Sequence, residues 1–189
     1  MSGAAEPGRI PSTTKLRELG LVNWVAARVM ARAVRAPQMH LFTTLGQHKR
    51  LLWFWMPFSG ALLRGRLPRA DAEVVILRVG HVRGCEYELQ HHRWMGRAAG
   101  LDANTQAAIF AWPQTPDDAA TLSARQVALL RATDEFLGDR MLTDATWERL
   151  ACHLDRRQLI EFCLLASQYD GLAATITTLC IPLDNPRHR

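Results

Sequence analysis

The sequence predicts an all-α fold, and three observations support this prediction. Apolar residues recur every three or four positions through most of the 189 residues, which is the period of a helix. No segment shows the alternation of β-branched and polar residues that is typical of a strand. Proline and glycine residues, among them Pro37, Pro68 and Gly84, stand where periodic segments begin or end. We therefore expect a set of helices joined by short turns.

The first half of the chain predicts three helical segments. Residues 15–35 form an amphipathic pattern, with apolar positions at Leu16, Leu19, Val22, Val25, Val29 and Ala33. Residues 39–63 are rich in large apolar side chains, and Pro57 is expected to break or kink this segment into two helices. A third segment, 68–84, contains the apolar run 74–77 and is expected to be buried on most sides.

Capping signals divide the second half of the chain. The next helix begins at about Cys85 and ends at Gly100. Further caps are expected at Asp102, at Thr143 and at two capping boxes, Ser123 with Gln126 and Asp155 with Gln158. Residues 112–118 predict a loop, and the last helix ends before Pro182. Because residues 1–13 are rich in small residues and proline, we expect a flexible tail at 1–13 and one helical domain over 14–189.

Composition excludes several classes of protein. The net charge is +5, but the 23 basic residues are scattered through the chain, so we expect no nucleic-acid partner. No apolar run approaches the roughly 20 residues that cross a bilayer, since residues 51–58 (LLWFWMPF) are too few. The N-terminal segment lacks the apolar stretch of a secretory signal. We therefore expect a soluble, cytoplasmic protein without a membrane partner.

The four cysteines match no framework for a metal or a disulfide. Cys85, Cys152, Cys163 and Cys180 are too widely separated for a Cys-x-x-Cys redox pair or a zinc site. Structural disulfides are also rare in the cytoplasm. We expect neither a metal nor a cofactor.

Three reactive side chains share one face of the helix that follows Gly84. Cys85, Glu88 and His92 occupy positions i, i+3 and i+7, which lie along one helical face. At the start of a helix, unpaired N–H groups and the macrodipole favour a thiolate and an ionised carboxylate. Histidine exchanges protons near neutral pH. The spacing therefore permits an active site.

Glu73, on the preceding helix, has two possible partners. If the two helices pack as a hairpin across Gly84, Glu73 and His92 approach each other and can hydrogen bond. Alternatively, Glu73 pairs with a nearby arginine such as Arg69, and His92 is only a packed residue at the edge of the surface. Spacing alone leaves both interpretations open.

These residues resemble the motif of a known superfamily. The stretches EVVILRV, GCEYELQHH and RAAGLD are similar to the carboxymuconolactone decarboxylase and alkyl hydroperoxidase D-like (AhpD-like) superfamily, whose motif is E-x11-C-x2-C-x3-H. Glu73, Cys85 and His92 match this motif in type and spacing, whereas Glu88 replaces the second cysteine. The Tyr-Glu pair within CEYEL resembles the decarboxylase-like branch. The similarity extends from about Met39 to Pro182.

The resemblance implies a fold, an assembly and an activity. It implies an AhpD-like helical bundle that forms a trimer or hexamer, with residues 51–58 as a candidate interface. A dithiol peroxidase needs a second thiol to resolve the sulfenic acid, and Glu88 cannot supply one. The leading hypothesis is therefore a decarboxylase-like lyase that acts on a small carboxylate or lactone.

In this hypothesis His92 is the general acid/base and Glu88 its carboxylate partner or a second acid/base. Glu73 orients His92, and Cys85 is a pocket residue. Candidate arginines for holding an anionic substrate are Arg78, Arg83, Arg93 and Arg97. Two alternatives remain: a thiol-dependent peroxidase that uses Cys85 with an external thiol, and a non-catalytic helical binding or assembly protein.

Overall fold

The described residues form helices and no strands, which confirms the predicted all-α fold class. The structure is a computed structural model that describes residues 8–33, 36–113 and 121–184. Within these ranges the helices are α1 (Leu16–Ala33), α2 (His40–Leu45), α3 (Lys49–Leu63), α4 (Arg69–Val82), α5 (Glu86–Ala98), α6 (Ala103–Ala111), α7 (Ala124–Asp139), α8 (Asp144–Ala151) and α9 (Arg156–Leu179). Parts of the predicted tail, first helix and loop, at 1–7, 34–35 and 114–118, lie outside the described residues.

The helices group into two compact units. One comprises residues up to Gly60 together with those from Ala174 onward, and the other is Ala61–Ala173. In the first unit, residues 8–13 are tied down by backbone hydrogen bonds from Arg9 N–H to the Leu179 carbonyl and from Thr13 N–H to the Thr43 carbonyl. The predicted boundary between a tail and a domain at residue 13 stays a prediction.

Helix α1 buries a different stripe from the one that its apolar pattern indicates. Leu19 is buried, but the other predicted positions for which burial is described, Leu16, Val22, Val25 and Val29, are exposed. The buried stripe continues instead through Asn23, Ala27 and Ala31. Two features explain the change. Gly20 has φ 75°, which interrupts the helix, and the Asn23 amide donates to the carbonyls of Gly46 and Lys49.

The prediction of a break at Pro57 is wrong. Helix α3 continues through Pro57, and the interruption between α2 and α3 lies earlier, at residues 46–48. There the N–H groups of Gly46, Gln47 and His48 bond to carbonyls of α2 in tight turns. Proline removes one helical hydrogen bond, but the helix remains continuous from Lys49 to Leu63.

Helix α4 is the centre of the Ala61–Ala173 unit, as its apolar run predicts. Residues 74–77 are fully buried and belong to one core with residues of α6, α7 and α9. The helix also buries charged side chains, and each has a partner. Arg78 makes a two-pronged ion pair with Asp134, and Asp71 pairs with Arg125.

The predicted caps are present in the second half of the chain. Asp102 and Thr143 accept hydrogen bonds from backbone N–H groups of α6 and α8, respectively. Ser123 with Gln126 forms a complete capping box at α7, and Asp155 with Gln158 makes the same reciprocal bonds at α9. Within the ranges that the structure describes, no helix is both long and apolar enough to span a membrane.

Candidate active site

The turn between α4 and α5 brings Glu73 and His92 together. Gly84 adopts φ 61°, a left-handed conformation that suits glycine, and the chain reverses into α5 there. His92 Nδ1 then lies 2.8 Å from Glu73 Oε2. This contact is one of the two that the spacing left open, and both side chains are buried, Glu73 completely.

Glu73 also has the alternative partner considered above. Its Oε1 lies 2.5 Å from Arg69 Nη2, as an ion pair without hydrogen-bond geometry, while Arg69 Nη1 donates to the Leu63 carbonyl. Glu73 therefore contacts both of the partners considered from the sequence, Arg69 and His92. Because a carboxylate oxygen accepts hydrogen bonds, Nδ1 is the ring nitrogen that donates to Glu73, and Nε2 is the nitrogen that carries the lone pair in the neutral imidazole.

Glu88 is a buried carboxyl group beside the Cys85 thiol. It is 3% exposed, and neither of its carboxyl oxygens has a hydrogen-bond partner that meets geometric criteria among the described residues. Burial is the main cause that raises the pKa of Glu88; the Cys85 side chain lowers it by less, and the charge of Asp170 adds a smaller increase, so that the pKa lies at about 8. At neutral pH Glu88 therefore carries a proton. The prediction that the helix start would favour its ionised form is wrong, because burial outweighs the helix dipole.

Cys85 is likewise protonated at neutral pH and is therefore a thiol. It is the N-cap of α5 and is buried, and burial with the adjacent Glu88 raises its thiol pKa to about 11. The backbone N–H groups of Tyr87 and Glu88 act in the predicted direction, but more weakly. The predicted activation of Cys85 by the helix start is therefore wrong for the same reason as at Glu88.

Helix α9 contributes two residues that sequence reasoning missed. The Tyr169 ring packs edge-on against His92, with centroids 5.1 Å apart and planes at 88°. Burial, with the nearby charges of Glu73 and Glu88, raises the pKa of Tyr169 well above its ordinary value, so its phenol stays neutral. Asp170 holds Arg83 and acts electrostatically on Glu88. The only signal was the QYD stretch within the matched region, and spacing does not relate it to α5.

The arginines predicted to hold an anionic substrate are mostly engaged elsewhere. Arg78 pairs with Asp134, Arg83 with Asp170 and Arg93 with Glu86. Arg97 is exposed in the last turn of α5. Arg69, which was not among these candidates, contacts one of the four predicted site residues, because its guanidinium pairs with Glu73.

The structure thus forms two contacting pairs from the four predicted residues. Glu73 pairs with His92, and Cys85 with Glu88; Glu88 and His92 are separated by one turn of α5. That all four line one cavity stays a prediction. Chemically, the group offers a protonated carboxyl and an imidazole whose tautomer is fixed by a buried carboxylate.

The buried, protonated state of Cys85 predicts slow alkylation. At pH 7 iodoacetamide should modify Cys85 at least about a hundredfold more slowly than an ordinary exposed thiol, because the thiolate is the nucleophile. The exposed Cys152 and Cys180 serve as internal controls. Mass spectrometry of peptides over time gives the rates. Preferential labelling of Cys85 at pH 7 would contradict the assigned protonation state.

Comparison with known proteins places this fold and motif in one class. Residues 49–132, which include all four predicted site residues, match the model of the Carboxymuconolactone decarboxylase family. A solved structure described as an alkylhydroperoxidase AhpD core, an uncharacterized peroxidase-related protein from Ralstonia eutropha JMP134, superposes with a TM-score of 0.79 at 15% identity, covering 97% of this chain and 94% of that one.

An uncharacterized peroxidase-related protein from Silicibacter sp. TM1040 gives a TM-score of 0.77 at 14% identity, covering 98% of this chain and 95% of that one. No curated protein sequence matches the chain. The fold is therefore that of an all-α, AhpD-like protein. The family match over residues 49–132 and the AhpD-like fold confirm the resemblance predicted from the sequence.

Proposed function

We propose that the chain is a carboxymuconolactone decarboxylase-like enzyme that uses acid–base chemistry on a small carboxylate or lactone. The single observation that supports this most strongly is the pairing, on successive turns of α5, of a carboxyl that holds its proton at neutral pH with an imidazole oriented by a buried carboxylate. Two titratable groups whose environments separate their roles in this way are characteristic of acid–base sites.

Each group has a defined role in such a reaction. In a decarboxylation the bond between carbon and CO₂ breaks, the electron pair remains on the substrate, and one proton must reach carbon. Glu88 holds that proton without donating it to any described residue. His92 Nε2 can accept a proton from the substrate or return one to the site, while Glu73 and Arg69 hold the imidazole through Nδ1.

A thiol-dependent peroxidase is the second candidate, because the similar solved structures are described as peroxidase-related. In that cycle the Cys85 thiolate would attack the peroxide, releasing an alcohol and leaving a sulfenic acid that external thiols reduce through a mixed disulfide. The protonated thiol of Cys85 weighs against this function. The third hypothesis, a non-catalytic binding or assembly protein, would use the fold without this chemistry.

One pair of assays separates these functions. Wild type and Cys85→Ser are each tested for turnover of lactone carboxylates and of organic hydroperoxide with thiol. Under the proposed function lactone carboxylates are consumed, and Cys85→Ser keeps most of the rate because Glu88 and His92 remain. Consumption of hydroperoxide alone, abolished in Cys85→Ser, would establish the peroxidase and overturn the lyase.

We also propose that the chain assembles as a closed homo-oligomer, a trimer or hexamer, in the cytoplasm. Helix α3 exposes Leu51, Trp53, Phe54 and Phe58, each more than 40% accessible, although these side chains are large and apolar. Helix α1 exposes its valines as well. Large apolar side chains exposed in such number on one helix are typical of interaction sites.

Sedimentation tests the assembly. At micromolar concentration the wild type should sediment as a trimer or hexamer, and Phe54→Glu should shift it to smaller species, because a charge would be buried in the interface. Leu164→Glu, on exposed α9 surface, is the matched control and should leave the assembly intact. A wild-type monomer at that concentration would contradict the proposal.

A further inference from the structure

A cavity in the Ala61–Ala173 unit, lined by residues of α7, of α8 and of the segments beside them, has the composition of an anion site. Its volume is about 580 Å³, within the usual range for sites that hold small molecules. The basic side chains that line it are Arg131, Arg149 and His153. Glu73, Cys85, Glu88 and His92 are not among its lining residues, so it is separate from the candidate active site.

The positive charge of this cavity is not neutralised from within. No described acidic residue lines it. Arg131 has no ion-pair partner among the described residues, and Arg149 acts only at longer range on Glu135, whose carboxylate is engaged by the Thr143 N–H. Most arginines packed near the candidate active site are instead paired with carboxylates. Arginine guanidinium groups bind carboxylates and phosphates through paired hydrogen bonds, and two arginines line this cavity.

Buried contacts fix the wall that carries His153. Arg125 pairs with Asp71 through Nε and donates from Nη1 to the His153 carbonyl, while its Nη2 is buried without a partner among the described residues. The guanidinium of Arg125, whose charge Asp71 balances, therefore holds this wall in place. A preformed wall costs little conformational entropy when a ligand binds.

The rest of the cavity is apolar. Leu122, Val127 and Ala128 line it, and Leu122 and Ala128 are themselves more than nine-tenths buried. This surface would contact the hydrocarbon part of a ligand, whereas inorganic anions would leave it uncovered. We infer that the cavity binds a small organic anion, a carboxylate or phosphate monoester with a compact apolar group.

Calorimetric titration with three probes of one shape tests this inference. Benzoate and phenyl phosphate carry the two possible anionic groups, and benzyl alcohol is the neutral analogue. We expect at least one anion to bind roughly tenfold or more tightly than benzyl alcohol, because charge-assisted hydrogen bonds are lost in the neutral probe. The tighter of the two anions identifies the headgroup.

Variants locate the binding. Arg131→Gln and Arg149→Gln should each weaken the anion roughly tenfold or more. Arg157→Gln, an exposed arginine at the start of α9, is the matched control and should bind as wild type does. Thermal unfolding of every variant shows that it is folded, and Arg149→Lys provides a second, milder change at the same position. The inference would be overturned if benzyl alcohol bound as tightly as the anions, or if neither anion bound. It would also be overturned if Arg131→Gln and Arg149→Gln bound the anion as tightly as wild type.

Discussion

Replacing His92 by glutamine should lower turnover of a lactone carboxylate by about 10²- to 10⁴-fold, the usual contribution of a positioned general acid/base. Glutamine retains polarity and approximate size and can still donate to Glu73. It cannot accept and release a proton as Nε2 does. The loss should therefore appear in kcat, measured at saturating substrate, with little change in the fold.

The adjacent histidine supplies a matched control for this change. His91 lies on the same helix, is half-buried, and packs edge-on against Tyr87 with ring centroids 5.2 Å apart. The Glu73 oxygen that orients an imidazole for proton transfer contacts His92. His91→Gln should therefore keep turnover within a few-fold of wild type. Equal losses in the two variants would point to a general disturbance of α5 and count against a catalytic His92.

Replacing Glu88 by glutamine should have the second large effect. The amide is nearly isosteric with a protonated carboxyl but does not release a proton, so turnover should again fall by about two orders of magnitude or more. Glu86→Gln is the control, because Glu86 is exposed on the same helix and pairs with Arg93. Unchanged turnover in Glu88→Gln would exclude Glu88 as the proton donor.

The same variant should change how stability depends on pH. The pKa of Glu88 is raised from an ordinary 4.5 to about 8, so the folded state keeps a proton that the unfolded state loses. Its contribution to stability is fully present below about pH 4.5 and disappears as pH rises towards 8. Between these values the wild type should lose on the order of 1 kcal/mol per pH unit relative to Glu88→Gln. Chemical denaturation at several pH values measures this slope.

Much of the architecture follows from local signals in the sequence. The side chains of Ser123 and Thr143 cap backbone groups three residues further along, so the local pattern is enough to predict where α7 and α8 begin. The buried run at 74–77 likewise identifies α4 as the centre of its unit. The exposed face of α1 was not predictable in this way, because the buried Asn23 bonds to carbonyls more than 20 residues away.

In the candidate site, too, features set by nearby residues could be inferred from the sequence, whereas features set by tertiary contacts could not. The order and spacing of Glu73 and His92 allowed their contact without deciding it against the pairing with Arg69, and the structure has both contacts. The protonation of Glu88 depends on how completely other helices cover it, and on the charge of Asp170, which is 82 residues further along the chain. Local reasoning from the helix dipole therefore gave the wrong sign. Tyr169 was not predicted because its packing on His92 is a tertiary contact that local spacing does not reveal.

The most direct test of the central claim is a measurement of the Glu88 proton itself. Carbon NMR of protein labelled at the glutamate side-chain carboxyls, titrated from pH 4 to 10, resolves individual carboxyl groups, and the resonance absent from Glu88→Gln identifies Glu88. If the site holds an acid beside an oriented imidazole, that resonance should titrate with a midpoint of about 8. A midpoint near the ordinary 4.5 would show Glu88 ionised at neutral pH and would contradict its role as proton donor.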